Sequence, residues 1–170
     1  VYKRDSLKDQ LDRIKNQSIE SDIIIWQNGS DVDIEQLAIS EGAQLVHSVN
    51  HNYKYHGRFT LPLLLQTEYT VILDDDTLPN ELWLEKCLSL SQEKNCIVGG
   101  NGRILTPKNP KNYQQNVDMP QRDHRVDFVG HAWFFKTDWI RYMWRDPVPT
   151  YDTAEDISFC ASAFINGNIR

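Results

Sequence analysis

Two acidic clusters in this chain have the residue types and spacing to do chemistry. Asp74-Asp75-Asp76 follows directly on the apolar run Tyr69-Thr70-Val71-Ile72-Leu73, and Glu155-Asp156 follows directly on Ala154. At about 4 Å and an effective dielectric of about 20, each neighbouring carboxylate pair repels by on the order of 4 kcal/mol. Three together call for a cation, and a hard divalent ion, Mg²⁺ or Mn²⁺, takes oxygen ligands and keeps positions open for phosphate. Neighbouring side chains on extended backbone alternate between faces, so Asp74 and Asp76 are expected together and Asp75 apart. One face could hold a metal and the other a ribose. A single acid after a strand would mark only a turn; three after Val-Ile-Leu point to function. Glu155 and Asp156 open a helix, where the dipole and free amides favour negative charge, so a carboxylate there could deprotonate a hydroxyl nucleophile. The competing reading is a capping box, Thr153-x-x-Asp156, in which the acid merely closes the helix end.

Basic groups that could meet a phosphate are Lys3, Arg4 and Arg58, the last after Gly57 at a prospective helix start. Exposed lysines and arginines are mostly solvated, which is the plainer reading of each. Asn28 could hydrogen-bond a base edge, although Asn28-Gly29 is also an ordinary turn. His131, between Gly130 and Ala132, reads either as a satisfied core histidine or as a ligand. Trp133 could stack on a sugar ring or fill the core; Trp26, Trp83, Trp139 and Trp144 read as packing.

The elements that must carry these groups alternate. Leu7, Leu11 and Ile14 mark a helix with Asp5 or Ser6 as cap, preceded by Val1-Tyr2 as the last residues of a strand. Ile23 to Trp26 predicts a buried strand, Ile34, Leu37 and Ala38 a helix, and Gln44 to His47 a strand. An apolar helical stretch is expected from Gly57 to Leu65, then the strand that ends at Leu73. Pro79 suits the first turn of a helix whose face carries Trp83, Cys87 and Leu90. Cys96 to Val98 reads as a short strand, Thr106 to Gln121 as an exposed loop, Phe128 to Phe135 as a strand. Ile157, Ala161 and Phe164 predict the apolar stripe of a last helix. Such alternation implies one α/β domain over residues 1–170: a mixed, mostly parallel sheet flanked by helices, with ligands beyond the carboxyl ends of the strands.

At 170 residues and 40% hydrophobic, the chain can bury one sizeable core. Its net charge of −6 argues against a nucleic-acid or anionic-membrane surface. Three cysteines without CxxC spacing suggest neither a zinc site nor a disulfide framework. No apolar run approaches ~18 residues and no basic-then-apolar leader opens the chain, so neither a membrane span nor a signal peptide is expected. The cytoplasm is the favoured compartment, with the Golgi lumen the alternative for a piece of an anchored protein.

Taken together, these residues resemble a nucleotide-sugar glycosyltransferase of the GT-A, Rossmann-like type. Val1-Tyr2-Lys3-Arg4-Asp5-Ser6-Leu7, with Gln10-Leu11 and Gln17-Ser18, resembles the first nucleotide-binding segment of such enzymes; Val71 to Asp76 resembles their strand-borne DxD motif, and Ala154-Glu155-Asp156 their acidic base motif. The resemblance spans nearly the whole chain. It is nearest to the inverting family of cellulose and chitin synthases and to exostosin-like transferases, and on the same acidic residues it is similar to domains with which large algal viruses glycosylate capsid proteins. It implies that Val1, Tyr2 and Arg4 line a nucleobase pocket completed by Asn28 and Arg58, and that Asp75 or Asp74 meets the ribose. It further implies that Asp76, supported by Asp74, binds the Mn²⁺ or Mg²⁺ bridging the two phosphates. Asp156 is the implied base, with Glu155 holding the donor sugar or exchanging roles with it. Gly130, His131 and Trp133 match the segment under the donor and acceptor sugars. The expected partners are a nucleoside diphosphate sugar, uridine-linked, and a hydroxyl of a glycan or glycoprotein. Two departures stand out: few residues precede the first motif, and the Gln-x-x-Arg-Trp motif of processive synthases is absent, which does not support polymer synthesis. The alternatives are a nucleotide-sugar-binding domain without turnover and a haloacid-dehalogenase-type phosphatase, whose Asp-x-Asp-x-Thr motif would need threonine where Leu78 stands.

Overall fold

The computed structural model describes residues 6–29, 32–105, 114–117 and 123–170. The first helix, α1 (Leu7–Lys15), buries Leu7 and Leu11 one turn apart. Asp9 in its first turn and Arg13 and Lys15 in its last complement the helix dipole, and Lys8 pairs with Asp12 at 3.2 Å along the exposed face. Strands β1 (Ile24–Asn28) and β2 (Gln44–Ser48) run parallel, in register from Ile24 opposite Gln44 to Asn28 opposite Ser48, with α2 (Glu35–Ser40) as the crossover. Leu7, Leu11, Ile25, Ile34 and Ala38 form the small core that joins them.

A second sheet contains β3 (Tyr69–Leu73), β4 (Val98–Leu105), β5 (Gln114–Val117) and β6 (Phe128–Lys136), in the order β3-β6-β4-β5 and antiparallel at every pairing. The mixed α/β class is therefore correct, but a mostly parallel sheet is not what the described residues form. The reason lies in β6. Its near-continuous apolar run is of the kind that marks a strand covered on both faces, usual in parallel sheets. Here an antiparallel sheet is covered on both faces. Phe134 packs with Leu84 and Cys87 of α3 (Trp83–Lys94), while Trp133 and Phe135 pack with Phe59 and with Phe159 of α4 (Glu155–Gly167).

Local differences follow from single residues. The stretch after Gly57 forms two short 3-10 turns, Gly57–Phe59 and Leu61–Leu64, rather than an α-helix, in keeping with Gly57 and Pro62, both poor residues for a helix interior. Helix α3 starts at Trp83, four residues after Pro79, and buries Leu84, Cys87 and Ser91. In α4 the inward face carries Phe159, Cys160 and Ala163, and Phe164 of the expected stripe is 48% exposed. Within the expected 106–121 loop, Gln114–Val117 pairs with β4; the rest of it lies outside the described residues. The cysteines are free, and burial pushes the thiols of Cys87 and Cys160 up to about 12. Among the described residues no helix is long and apolar enough to cross a membrane.

Phe159 is fully buried, edge-on to Phe135 at 5.0 Å and to Phe59 at 5.6 Å between ring centroids, and so anchors α4 to the sheet. Phe159→Ala is expected to lower the unfolding free energy in urea by about 3–5 kcal/mol.

Candidate functional site

The aspartate triplet sits where β3 ends, on a turn rather than on the extended backbone expected. The Asp74 amide donates to the His131 carbonyl (2.9 Å), the Thr77 amide to the Asp74 carbonyl (2.9 Å), and the Thr77 hydroxyl to the His131 carbonyl (3.0 Å). Helix α1 fastens this turn from the side. Buried Gln10 donates to the carbonyls of Asp74 (2.6 Å) and Thr77 (2.7 Å), and the Ser6 hydroxyl donates to that of Asp75 (2.8 Å) instead of capping its own helix.

The turn still gathers Asp74 and Asp76. One carboxylate oxygen of each and a ring nitrogen of His131 lie within 4.8 Å of one another. Two ligands about 2.1 Å from a shared ion are at most about 4.2 Å apart, so small side-chain rotations would suffice to close the set. Two carboxylates and an imidazole suit Mn²⁺ better than Mg²⁺, which favours oxygen alone. His131 is thus exposed beside the acids and not a core histidine, with Nδ1 3.8 Å from Asp74.

Arg58 links the two acidic motifs. Its guanidinium pairs with Asp74, and Nη2 lies 3.6 Å from Glu155. Nε donates to the Tyr55 carbonyl at 2.9 Å, and the guanidinium lies over the rings of Trp133 (5.2 Å) and Tyr55 (5.5 Å). Burial lowers the Arg58 pKa, and Glu155 foremost opposes that. Glu155 is only 7% exposed, and burial pushes its carboxyl up against the pull of its own backbone hydrogen bond and of Arg58. Asp156 is half-buried beside Gly130, where an added Cβ would come 3.9 Å from Oδ2. The helix cap is Ala154, with no side-chain cap bond, so Thr153 and Asp156 do not form the capping box.

Three residues near this site hold left-handed backbone without being glycine or asparagine: Lys54 (φ 53°), His131 (φ 63°) and Ala154 (φ 67°). Such strain persists only where surrounding structure imposes it. Lys54 pairs with Asp152, and His56 packs on the Tyr151 ring at 5.4 Å, so the loop after β2 lies against the approach to α4.

Other expected residues take different places. Asn28 braces that loop: its amide donates to Asn52 (3.0 Å) and the Lys54 carbonyl (3.0 Å) and accepts from the Tyr53 amide (2.8 Å), so both of its donors serve the loop. Gly29 (φ 66°) makes the turn beside it, where a Cβ would lie 2.9 Å from the backbone of His51 and Asn52. Arg58 lies among the acids and borders the same cavity as Asn28. Trp133 is 1% exposed, so it supports Arg58 from within the core and offers no open face to a sugar. Val1, Tyr2, Lys3 and Arg4 lie outside the described residues.

A cavity of about 1160 Å³ is bordered by Asn28, Lys54, Arg58, Asp74, Asp75, Asp76 and His131 on its polar side, while Glu155 meets it through Arg58. Sequence reasoning missed the role of Gln10, although a glutamine between Leu7 and Leu11 on an apolar stripe was a signal. It also missed His56, buried with both ring nitrogens lacking a partner among the described residues. A scan against protein-family models finds no match, and a search of curated proteins finds no significant similarity.

Arg58→Met removes the cation shared by two carboxylates and is expected to destabilise the fold by about 3 kcal/mol. The deficit in urea titrations should shrink as pH falls from 8 toward the raised folded value of Glu155, where that carboxyl takes up a proton. Glu155 behaves with the opposite sign to a stabilised carboxylate. Folding holds its proton more tightly than the unfolded chain does, so its contribution to stability falls as pH rises from the ordinary value of 4.5 through the raised folded value. The stability of Glu155→Gln relative to the parent should therefore grow across that window.

Proposed function

We propose that this chain is the catalytic domain of a metal-dependent glycosyltransferase that moves a sugar from a nucleoside diphosphate, uridine-linked, to a hydroxyl of a glycan or glycoprotein. One observation carries the reading: the aspartate turn after β3 and the acidic start of α4, far apart in sequence, face each other across Arg58. An acid pair with a neighbouring imidazole on one side and a half-buried carboxylate on the other is what transfer from a diphosphate needs. A divalent ion held by Asp74, Asp76 and His131 would neutralise the charge developing on the leaving diphosphate.

The protein side chains do the rest. Asp156 takes the proton of the acceptor hydroxyl as its oxygen bonds to the anomeric carbon, and the bond to the diphosphate breaks with its electron pair leaving on phosphate oxygen. Glu155, buried against Arg58, orients the donor sugar. Gly130 leaves space beside Asp156 where a larger side chain would stand, and Asp75, which borders the same cavity as Asp74 and Asp76, would meet the ribose.

Asp76→Ala is expected to abolish Mn²⁺-dependent binding of a uridine diphosphate sugar in calorimetry. Asp156→Asn should keep that binding and lower turnover by roughly 10²–10⁴-fold. Parent-level transfer by both variants overturns the assignment; binding without turnover by the parent, across an acceptor panel, favours a binding domain instead.

A further inference from the structure

Exposed aromatic rings gather at the outer rim of this site. Tyr53, Tyr55 and Tyr151 are each more than half exposed, and no other tyrosine among the described residues is. Tyr53 and Tyr55 lie on the loop after β2, and Tyr151 on the segment that leads into Glu155 and Asp156, where the Lys54–Asp152 pair ties it to that loop. Each ring is held by a packed neighbour while most of it meets solvent. Tyr53 stands edge-on to Trp26 at 6.2 Å, Tyr55 lies under the Arg58 guanidinium, and Tyr151, 65% exposed, rests against His56. That imidazole is buried and neither of its nitrogens has a partner among the described residues, so Tyr151 meets a fixed surface. Single exposed rings carry no message, whereas several in one place mark a contact surface, and a ring already held loses little freedom when a ligand covers it. Trp133, the aromatic expected to face a sugar, is buried, which leaves these tyrosines to meet a ligand. The polar groups beside them, Lys54, Asp152 and Thr153, are exposed as well. Flat rings bordered by hydrogen-bonding groups match a pyranose, with an apolar C–H face and a rim of hydroxyls. A flexible polypeptide offers no such face.

We propose that Tyr151, with Tyr55, is the platform on which the acceptor stacks, and that the acceptor group is therefore a pyranose sugar rather than a serine or threonine of a polypeptide. Its role as acceptor rests on the transferase reading; the binding of a sugar does not. Tyr151 stands ahead of Asp156 by at most about 18 Å of extended chain. Tyr55 is next in sequence to His56, on which Tyr151 rests, and touches Arg58, which pairs with Glu155. A sugar on these rings thus lies at the acidic start of α4, where a hydroxyl has to give up its proton.

The test is saturation-transfer NMR on the full chain with methyl β-D-glucopyranoside, methyl β-D-galactopyranoside and methyl α-D-mannopyranoside, and with a blocked glycine-serine-glycine peptide as the hydroxyl that carries no sugar. At least one glycoside should receive saturation, strongest on the protons of one ring face, and the peptide none. Tyr151→Ala should weaken that glycoside's binding about fivefold or more, and Tyr151→Phe, which keeps the ring, by less than about twofold. Phe164→Ala, which removes an exposed ring near the other end of α4, should change nothing. No saturation of any glycoside, parent-level binding by Tyr151→Ala, an equal loss in Tyr151→Phe, or saturation of the peptide in place of a sugar overturns the proposal. Tyr151-dependent binding of a glycoside, with no transfer to it from any uridine diphosphate sugar, leaves the platform standing and overturns the transferase reading instead.

Discussion

The placement of one guanidinium holds this site together. Arg58 stands between Asp74 at the end of β3 and Glu155 at the start of α4, out of most solvent contact and over the Trp133 ring. Its neighbour Phe59 is fully buried against Trp133 and Phe159, so the turn that carries Arg58 is fixed by the core beneath it. Removing a buried charge from such a group leaves its partners uncompensated, which costs more than the pairing itself contributes. The electrostatic problem posed by the carboxylates is thus answered partly from within the protein, and a bound cation would act on a site already partly neutralised.

Around that pair the backbone is held in conformations it would not choose alone. His131 and Ala154, both left-handed, place an imidazole beside the aspartates and open the helix that carries Glu155 and Asp156. Five bonds reaching across the chain hold the turn against β6 and α1: one each from the Asp74 amide and the Thr77 hydroxyl to the His131 carbonyl, two from Gln10 and one from Ser6 to carbonyls of the turn. The acids converge because neighbouring elements dictate their positions, and the same bonds fix α1 beside the aspartate turn.

Much of the architecture was legible in the residues. The periodicity of Leu7, Leu11 and Ile14 located α1, the runs ending at Trp26 and Leu73 located β1 and β3, and the acidic motifs fell at the end of a strand and the start of a helix. Stretches that depend on competing local preferences were less legible. Gly57 and Pro62 turned an apolar helical pattern into 3-10 turns, and the inward face of α4 proved to be Phe159, Cys160 and Ala163 because the ring cluster on β6 draws Phe159 inward.

Sequence by itself determined most of the strands and helices and where negative charge concentrates, since both follow from side-chain type and short-range spacing. It could not determine strand direction: a strand buried on both faces shows the same apolar run whether its neighbour runs with it or against it. Nor could it reveal that Arg58 would stand between Asp74 and Glu155, that His131 would turn outward to join Asp76, or that Asn28 would spend its amide bracing a loop. Those outcomes belong to the tertiary structure, because an ion pair or hydrogen bond between distant residues depends on where the packed core places their backbones, and local sequence carries no record of that distance.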